Sequence, residues 1–178
     1  MIRYAFYTAT ELVSFLEKYK QYYEGCTLKY VSANLISFKN PLRHHITDEP
    51  VIFQIDDICV AVDCYFPSDM RICAGNLDEF AEVVPEYRII DMLKNENNTE
   101  LCGFMDFPEI ENIKNRKIVS IDVEHSTEGF CINESNDTFR PDGGDYFNTV
   151  TITLDSGVRI CIRGADASYD GYTTIWAE

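Results

Sequence analysis

No apolar run in this sequence approaches the roughly 18 residues that a helix needs to cross a bilayer; the longest, such as Ile58 to Val62, fall far short. A membrane-spanning helix is therefore not expected. The N-terminal stretch Met1-Ile2-Arg3-Tyr4-Ala5-Phe6-Tyr7-Thr8 lacks the extended apolar core of a secretory signal, so a cytoplasmic protein is expected. Proline and glycine are sparse, at 6 and 9 of 178 residues, and no low-complexity tract occurs. Both absences speak for a globular chain rather than a disordered or collagen-like one. No CxxC pair is present. The seven cysteines (Cys26, Cys59, Cys64, Cys73, Cys102, Cys131 and Cys161) are scattered, mostly within strand-like runs. An odd number without paired spacing fits reduced thiols packed as small apolar residues.

Positive charge is scarce. Lys and Arg number 15 against 30 Asp and Glu, for a formal charge of −15 and a pI near 4.5. Between His44 and Met70 there is no Lys or Arg, while Asp48, Glu49, Asp56, Asp57, Asp63 and Asp69 are all present. From Val119 to Val158 the single base is Arg140. A field of this sign repels phosphate backbones, which excludes nucleic acid as an expected partner, and it attracts a basic protein or a cation. No GxSxG, P-loop, GxGxxG or HExxH motif occurs, so the enzyme classes that carry those signatures are not indicated.

What is present is a clear periodicity. A helix is expected over Thr10 to Glu24: Thr8 and Glu11 stand in a capping-box relation, and Leu12, Phe15, Leu16, Tyr19, Tyr22 and Tyr23 recur at helical spacing. Gly25 supplies a left-handed stop. The stripe is expected to pack on a sheet. Leu28 to Phe38 reads as strand. Val51 to Ile55 and Ile58 to Val62 alternate about Asp56-Asp57 and read as a hairpin, with a short strand over Met70 to Ala74. The middle reads as helical: Asn76 and Glu79 as a cap pair, Pro85 opening a helix with Ile89, Ile90 and Leu93 on its apolar side, a polar linker over Asn95 to Thr99, and a helical turn from Pro108 to Ile113. Strands return at Lys117 to His125. Ser126 to Gly129 reads as a turn into Phe130 to Glu134, and Ser135 to Asp145 as a polar loop. Val150 to Leu154 and Val158 to Ile162 form a second hairpin about Asp155-Ser156-Gly157, and Tyr172 to Trp176 reads as the last strand.

The two β regions resemble each other. Val51, Phe53, Ile55, Ile58, Val60 and Val62 align with Val150, Ile152, Leu154, Val158, Ile160 and Ile162; Asp56 falls on Asp155, and the segment from Val31 to Leu35 aligns with Val119 to Val123. The expectation is a single α+β domain over residues 1–178, mainly antiparallel β, with two tandem strand-rich repeats. Repeat one spans about 10–76, a central helical connection about 77–114, and repeat two about 115–178. Each unit has one apolar face and needs the other to bury it.

Candidate chemistry is thin. Asp166, Ser168, Asp170 and Gly171 match the first half of a calcium loop, but Ala177 holds the position of the closing carboxylate. Ca2+ or another divalent cation is thus the only cofactor the residues suggest. Asp137, Asp142 and Asp145 cluster in a polar segment. His125 with Cys131 offers a thiol–imidazole pair across a hairpin, and His44-His45 a single base at most. In size, acidity and lack of motifs the chain is similar to immunity proteins that neutralise basic toxins. The expected function is therefore a non-enzymatic, monomeric or homodimeric module that faces a basic protein. Asp63, Tyr65, Phe66 and Asp69 in one loop, with Asp166, Tyr169, Asp170 and Tyr172 in its counterpart, would form the contact. The alternative is a metal-dependent or acid/base enzyme using Asp142, Asp145, Asp166 and Asp170 with His125.

Overall fold

The computed structural model describes residues 2–33, 35–36, 45–47, 50–65, 69–76, 78–79, 105–106, 110–133, 136–164 and 173–178. In chain order the elements are β1 (Ile2–Phe6), α1 (Ala9–Tyr19) with a tight 3-10 turn after it (Lys20–Tyr22), β2 (Thr27–Ala33), β3 (Leu35–Ile36), β4 (His45–Thr47), β5 (Val51–Ile55), β6 (Ile58–Tyr65) and β7 (Asp69–Asn76). There follow β8 (Met105–Asp106), α2 (Ile110–Ile113), β9 (Arg116–Asn133), β10 (Asn136–Leu154), β11 (Arg159–Gly164) and β12 (Thr173–Ala177). Among the described residues twelve strands make one sheet in the order β1-β7-β6-β5-β2-β9-β10-β11-β12-β4-β3, with β8 beside β2. The fold is α+β and mainly antiparallel, as expected.

Two four-stranded meanders run outward from a central join. One is β2-β5-β6-β7 and the other β9-β10-β11-β12. At the join Thr27 opposes Lys117 and Leu28 opposes Arg116. Both expected hairpins form in the expected registers. Phe53 opposes Val60 and Val51 opposes Val62; Ile152 opposes Ile160 and Val150 opposes Ile162. The inner ladders share an irregularity. Leu28 opposes Ile55 and Tyr30 opposes Gln54, leaving Lys29 bulged. Likewise Ile118 opposes Leu154 and Ser120 opposes Thr153, leaving Val119 bulged. In pairing terms the counterpart of Val31 is therefore Ile121, opposite Ile152, rather than Val119. The Asp56 amide donates to the Thr27 carbonyl at 2.9 Å, and the Asp155 amide to the Lys117 carbonyl at 2.9 Å.

Alternation places Val51, Phe53, Ile55 and Val62 from one meander and Val150, Ile152, Leu154 and Ile162 from the other in one buried cluster with Leu12 and Leu16 of α1. Strand β6 touches β11 and β12, so the two halves face each other across this core. Past the start of β5, the Cys64 amide donates to Thr173 Oγ1 at 3.0 Å, and the Thr173 hydroxyl donates to the Cys64 carbonyl at 3.4 Å. One buried threonine thus satisfies both groups that the shorter β5 leaves open. Cys26, Cys59, Cys64, Cys73 and Cys161 are free thiols.

Several expectations require correction. The expected turn at Ser126 to Gly129 is strand, and so is the expected loop at Ser135 to Asp145 from Asn136 onward: β9 and β10 continue as a two-stranded ribbon in which Gly129 opposes Arg140 and Asn133 opposes Asn136. Such a ribbon satisfies its backbone by mutual pairing and needs no apolar face, so no alternation marks it in the sequence. Polar residues between Pro141 and Tyr146 bulge out of the ladder. His125 and Cys131 lie six residues apart on β9, not across a hairpin. The run from Leu28 to Phe38 splits, and β3 joins β4 at the far edge. The acidic segment Asp63 to Asp69 is not simply a loop, since Asp63 lies in β6 and Asp69 opens β7. The Asn76–Glu79 cap pair is present, each backbone amide bonded to the other's side chain at 2.9 Å. The helix expected after Pro85 and the linker over Asn95 to Thr99 lie outside the described residues. Among the described ones the helical content of the central region is a helical turn at Asp78–Glu79 and the four-residue α2, beside the short β8, and no second long helix is found.

Candidate ligand-binding site

The apolar stripe of α1 is where the fold leaves space. Thr8 caps the helix, its side chain accepting from the Glu11 amide at 3.2 Å, while the Glu11 carboxylate accepts from the Tyr7 amide at 3.0 Å. The regular helix ends at Tyr19, five residues before the expected Glu24, and the tight turn carries the chain on to Tyr22. Gly25 then takes a left-handed φ of 77° and its amide donates to the Ile118 carbonyl at 2.8 Å, tying the helix exit to β9. At the other end, Asp145 in the bulge of β10 accepts from the Thr10 amide at 3.1 Å. The helix is thus pinned to the second meander at both ends, with its stripe turned toward the first.

The stripe does not close on the sheet. Between them lies a cavity of about 400 Å³, within the ~300–1,000 Å³ typical of small-molecule pockets. Leu12, Phe15, Leu16, Tyr19, Tyr22 and Tyr23 form its helical wall. The floor is the inner face of the first meander and β1, including Ile55, Val60, Val62, Ile72, Ala74 and Tyr4. Ile121, Val150 and Ile162 close it from the second meander. Leu12 is fully buried, whereas Ile2, Tyr22 and Ile58 are 51%, 59% and 41% exposed and belong to the same lining. Large apolar side chains left in water are informative when they gather, and these gather around an apolar cavity.

An aromatic cluster marks one side. Phe15 sits with ring centroids 4.6 Å from both Tyr4 and Tyr19, in tilted arrangements. The Tyr4 and Tyr19 hydroxyls are 3.0 Å apart. Their bond raises the Tyr4 pKa and lowers that of Tyr19, with the Lys18 ammonium adding to the latter. Lys18 Nζ lies 5.2 Å from the Tyr19 ring centroid. Burial raises the Tyr23 pKa, and Glu17, Glu24 and Asp122 add to it.

The residues expected to meet a basic partner are only partly in view. Asp63 lies in β6 opposite Arg71, and burial pushes its pKa up to about 6 against the pull of that guanidinium. Asp69 opens β7 opposite Tyr65, and its carboxylate meets Arg71 at 3.2 Å. Arg71 therefore stands between the two acids. Phe66, Asp166, Ser168, Tyr169, Asp170 and Tyr172 lie outside the described residues, so the half calcium loop does too. Among the described residues no three His, Cys, Asp or Glu side chains gather as a metal would need. His125 Nδ1 is 3.4 Å from Asp145 Oδ1, on an exposed ribbon rather than in a cleft. The thiols of Cys59 and Cys64 are pushed up by burial, that of Cys59 to about 11, so neither is activated. No family model, curated protein or solved structure matches this chain.

The helical wall was legible as a stripe. Tyr4 stood out in the sequence only as one of several N-terminal aromatics; strand β1 and its Ile2 were missed, because a five-residue strand carries too few alternations to stand out. The only available signal was the surplus of aromatics near the N-terminus.

Proposed function

We propose that this protein binds a small apolar molecule in the cavity beneath α1. The observation that carries this reading is the coincidence of an apolar cavity with a rim of exposed apolar side chains, Ile2, Tyr22 and Ile58. Enclosing that surface with a ligand removes it from water, at about 25 cal/mol per Å² of apolar area covered. The neutral fluorophore N-phenyl-1-naphthylamine should bind saturably with an emission increase and raise the Tm. Ala74→Leu and Val60→Phe, which fill the floor, should abolish the signal while leaving the far-UV spectrum intact. An unsaturable signal, or one equal in the filled variants, sinks the reading.

A second reading, a non-enzymatic module for a basic protein, is favoured by the charge of −15 and by the absence of Lys and Arg between His44 and Met70. Its contact would include Asp63, Tyr65 and Asp69, and it is tested by salt dependence. The enzyme alternative has support only from the His125–Asp145 approach.

We also propose that the two meanders descend from one duplicated unit. The identical hairpin registers, the bulges at Lys29 and Val119, and the matching amide bonds of Asp56 and Asp155 support this.

A further inference from the structure

We infer that the cavity takes an uncharged, single-ended amphiphile: a hydrocarbon body of about ten to fifteen carbons ending in one hydroxyl or carbonyl that meets the Tyr4–Tyr19 hydroxyl pair. The inference rests on the cavity reading and adds the chemistry of the occupant. Its length follows from the volume of about 400 Å³, taking ~30 Å³ for each water-sized group. Its neutrality follows from the walls. The lining residues are aliphatic or aromatic apart from the thioether of Met70, none of them is charged, and the only hydrogen-bond donors on their side chains are tyrosine hydroxyls. An ionised head drawn inside would lose its hydration and find no opposite charge, which disfavours it strongly. Lys18 is no such partner: it packs over the Tyr19 ring and does not line the cavity.

The single polar end follows from how the hydroxyls are used. Tyr4 and Tyr19 bond to each other at 3.0 Å, which occupies one hydrogen and one lone pair. Whichever hydroxyl donates, the hydrogen of the other remains for an acceptor on the ligand, and lone pairs of the pair remain for a donor. A primary alcohol satisfies either. A ligand with several polar groups would leave the others facing Ile72, Val60 and Leu12.

The test is displacement of N-phenyl-1-naphthylamine from the full chain at neutral pH by 1-decanol, decanoate and decyltrimethylammonium, which share one tail and differ in head. Decanol should compete at least about tenfold better than either ion. In the double variant Tyr4→Phe/Tyr19→Phe, decanol affinity should fall about five- to tenfold relative to the affinity of the fluorophore measured in that same variant. Decanoate competing as well as decanol overturns the inference and points to Lys18; decyltrimethylammonium doing so overturns it in favour of the aromatic faces. An unchanged decanol affinity in the double variant overturns the role of the hydroxyls. Failure of the fluorophore itself to bind removes the cavity reading and this inference together, so the two failures are distinct.

Discussion

Asp63 sits where a carboxylate is costly. It is half-buried in β6, and burial outweighs Arg71 to raise its pKa from the ordinary 3.8 to about 6. A carboxyl whose folded pKa exceeds its unfolded one stabilises the fold only while protonated. That contribution is complete below about pH 4 and is lost as the pH rises through 6. At neutral pH the ionised group is therefore a liability on the order of 1–2 kcal/mol, part of the shift being offset by water at its edge. Asp63→Asn should raise stability at pH 7–8 by about that much and change little near pH 4, which urea melts at the two pH values would read. Equal effects at both would show that charge is not the cause. An aspartate in a strand of alternating apolar residues gave no hint in sequence that its partner would be Arg71. The pairing needs the register of β6 on β7, and the intervening residues offered a loop instead.

At the scale of elements, legibility followed the strength of the apolar pattern. Helix α1, taken with the tight turn that follows it, was readable to within a turn because its cap, stripe and stop agree. Both hairpins were readable because six alternating positions flank a turn that forces a left-handed residue, Asp56 at φ 49° in one and Gly157 at φ 84° in the other. The β9–β10 ribbon was not, since Ser126 to Asp145 presents polar residues, glycines and a proline that elsewhere make turns. The bulge between Pro141 and Tyr146 absorbs them: Gly143 adopts φ 78°, and a Cβ on Gly144 would collide with the Tyr146 ring. If the hairpins are equivalent, their turns are interchangeable. Replacing Asp56-Asp57 by Asp-Ser-Gly should cost less than about 1 kcal/mol and keep Phe53 opposite Val60, as cross-strand nuclear Overhauser effects would show. A shifted register would count against duplication.

Across the whole molecule the dominant facts are the charge and the continuous sheet. The charge of −15 was plain from composition, but its use was not, because the structure ties Asp69 to Arg71 and Asp145 to Thr10 and His125. If a basic protein is the partner, association should slow by about tenfold or more between low and high salt, measured by stopped-flow with a cationic partner captured from lysate. A rate indifferent to salt removes that reading and leaves the cavity as the site. The cavity itself could not be read from sequence, because a stripe that packs and a stripe that stands off the sheet share the same spacing.

The placement of β4 has a kinetic consequence. It belongs by sequence to the first meander, yet its ladder partner is β12, where Ile46 meets Thr174. During synthesis β4 therefore leaves the ribosome with only the short β3 beside it and waits until nearly the whole chain has followed. Closing so distant a pair is a slow step, and a strand waiting with a bare edge is prone to pair with a neighbouring copy. The second meander, whose strands are consecutive in sequence, can form from near contacts once it emerges and then present β12. The final event of folding is then the capture of an early strand by a late one, which locks the first half of the chain to the second.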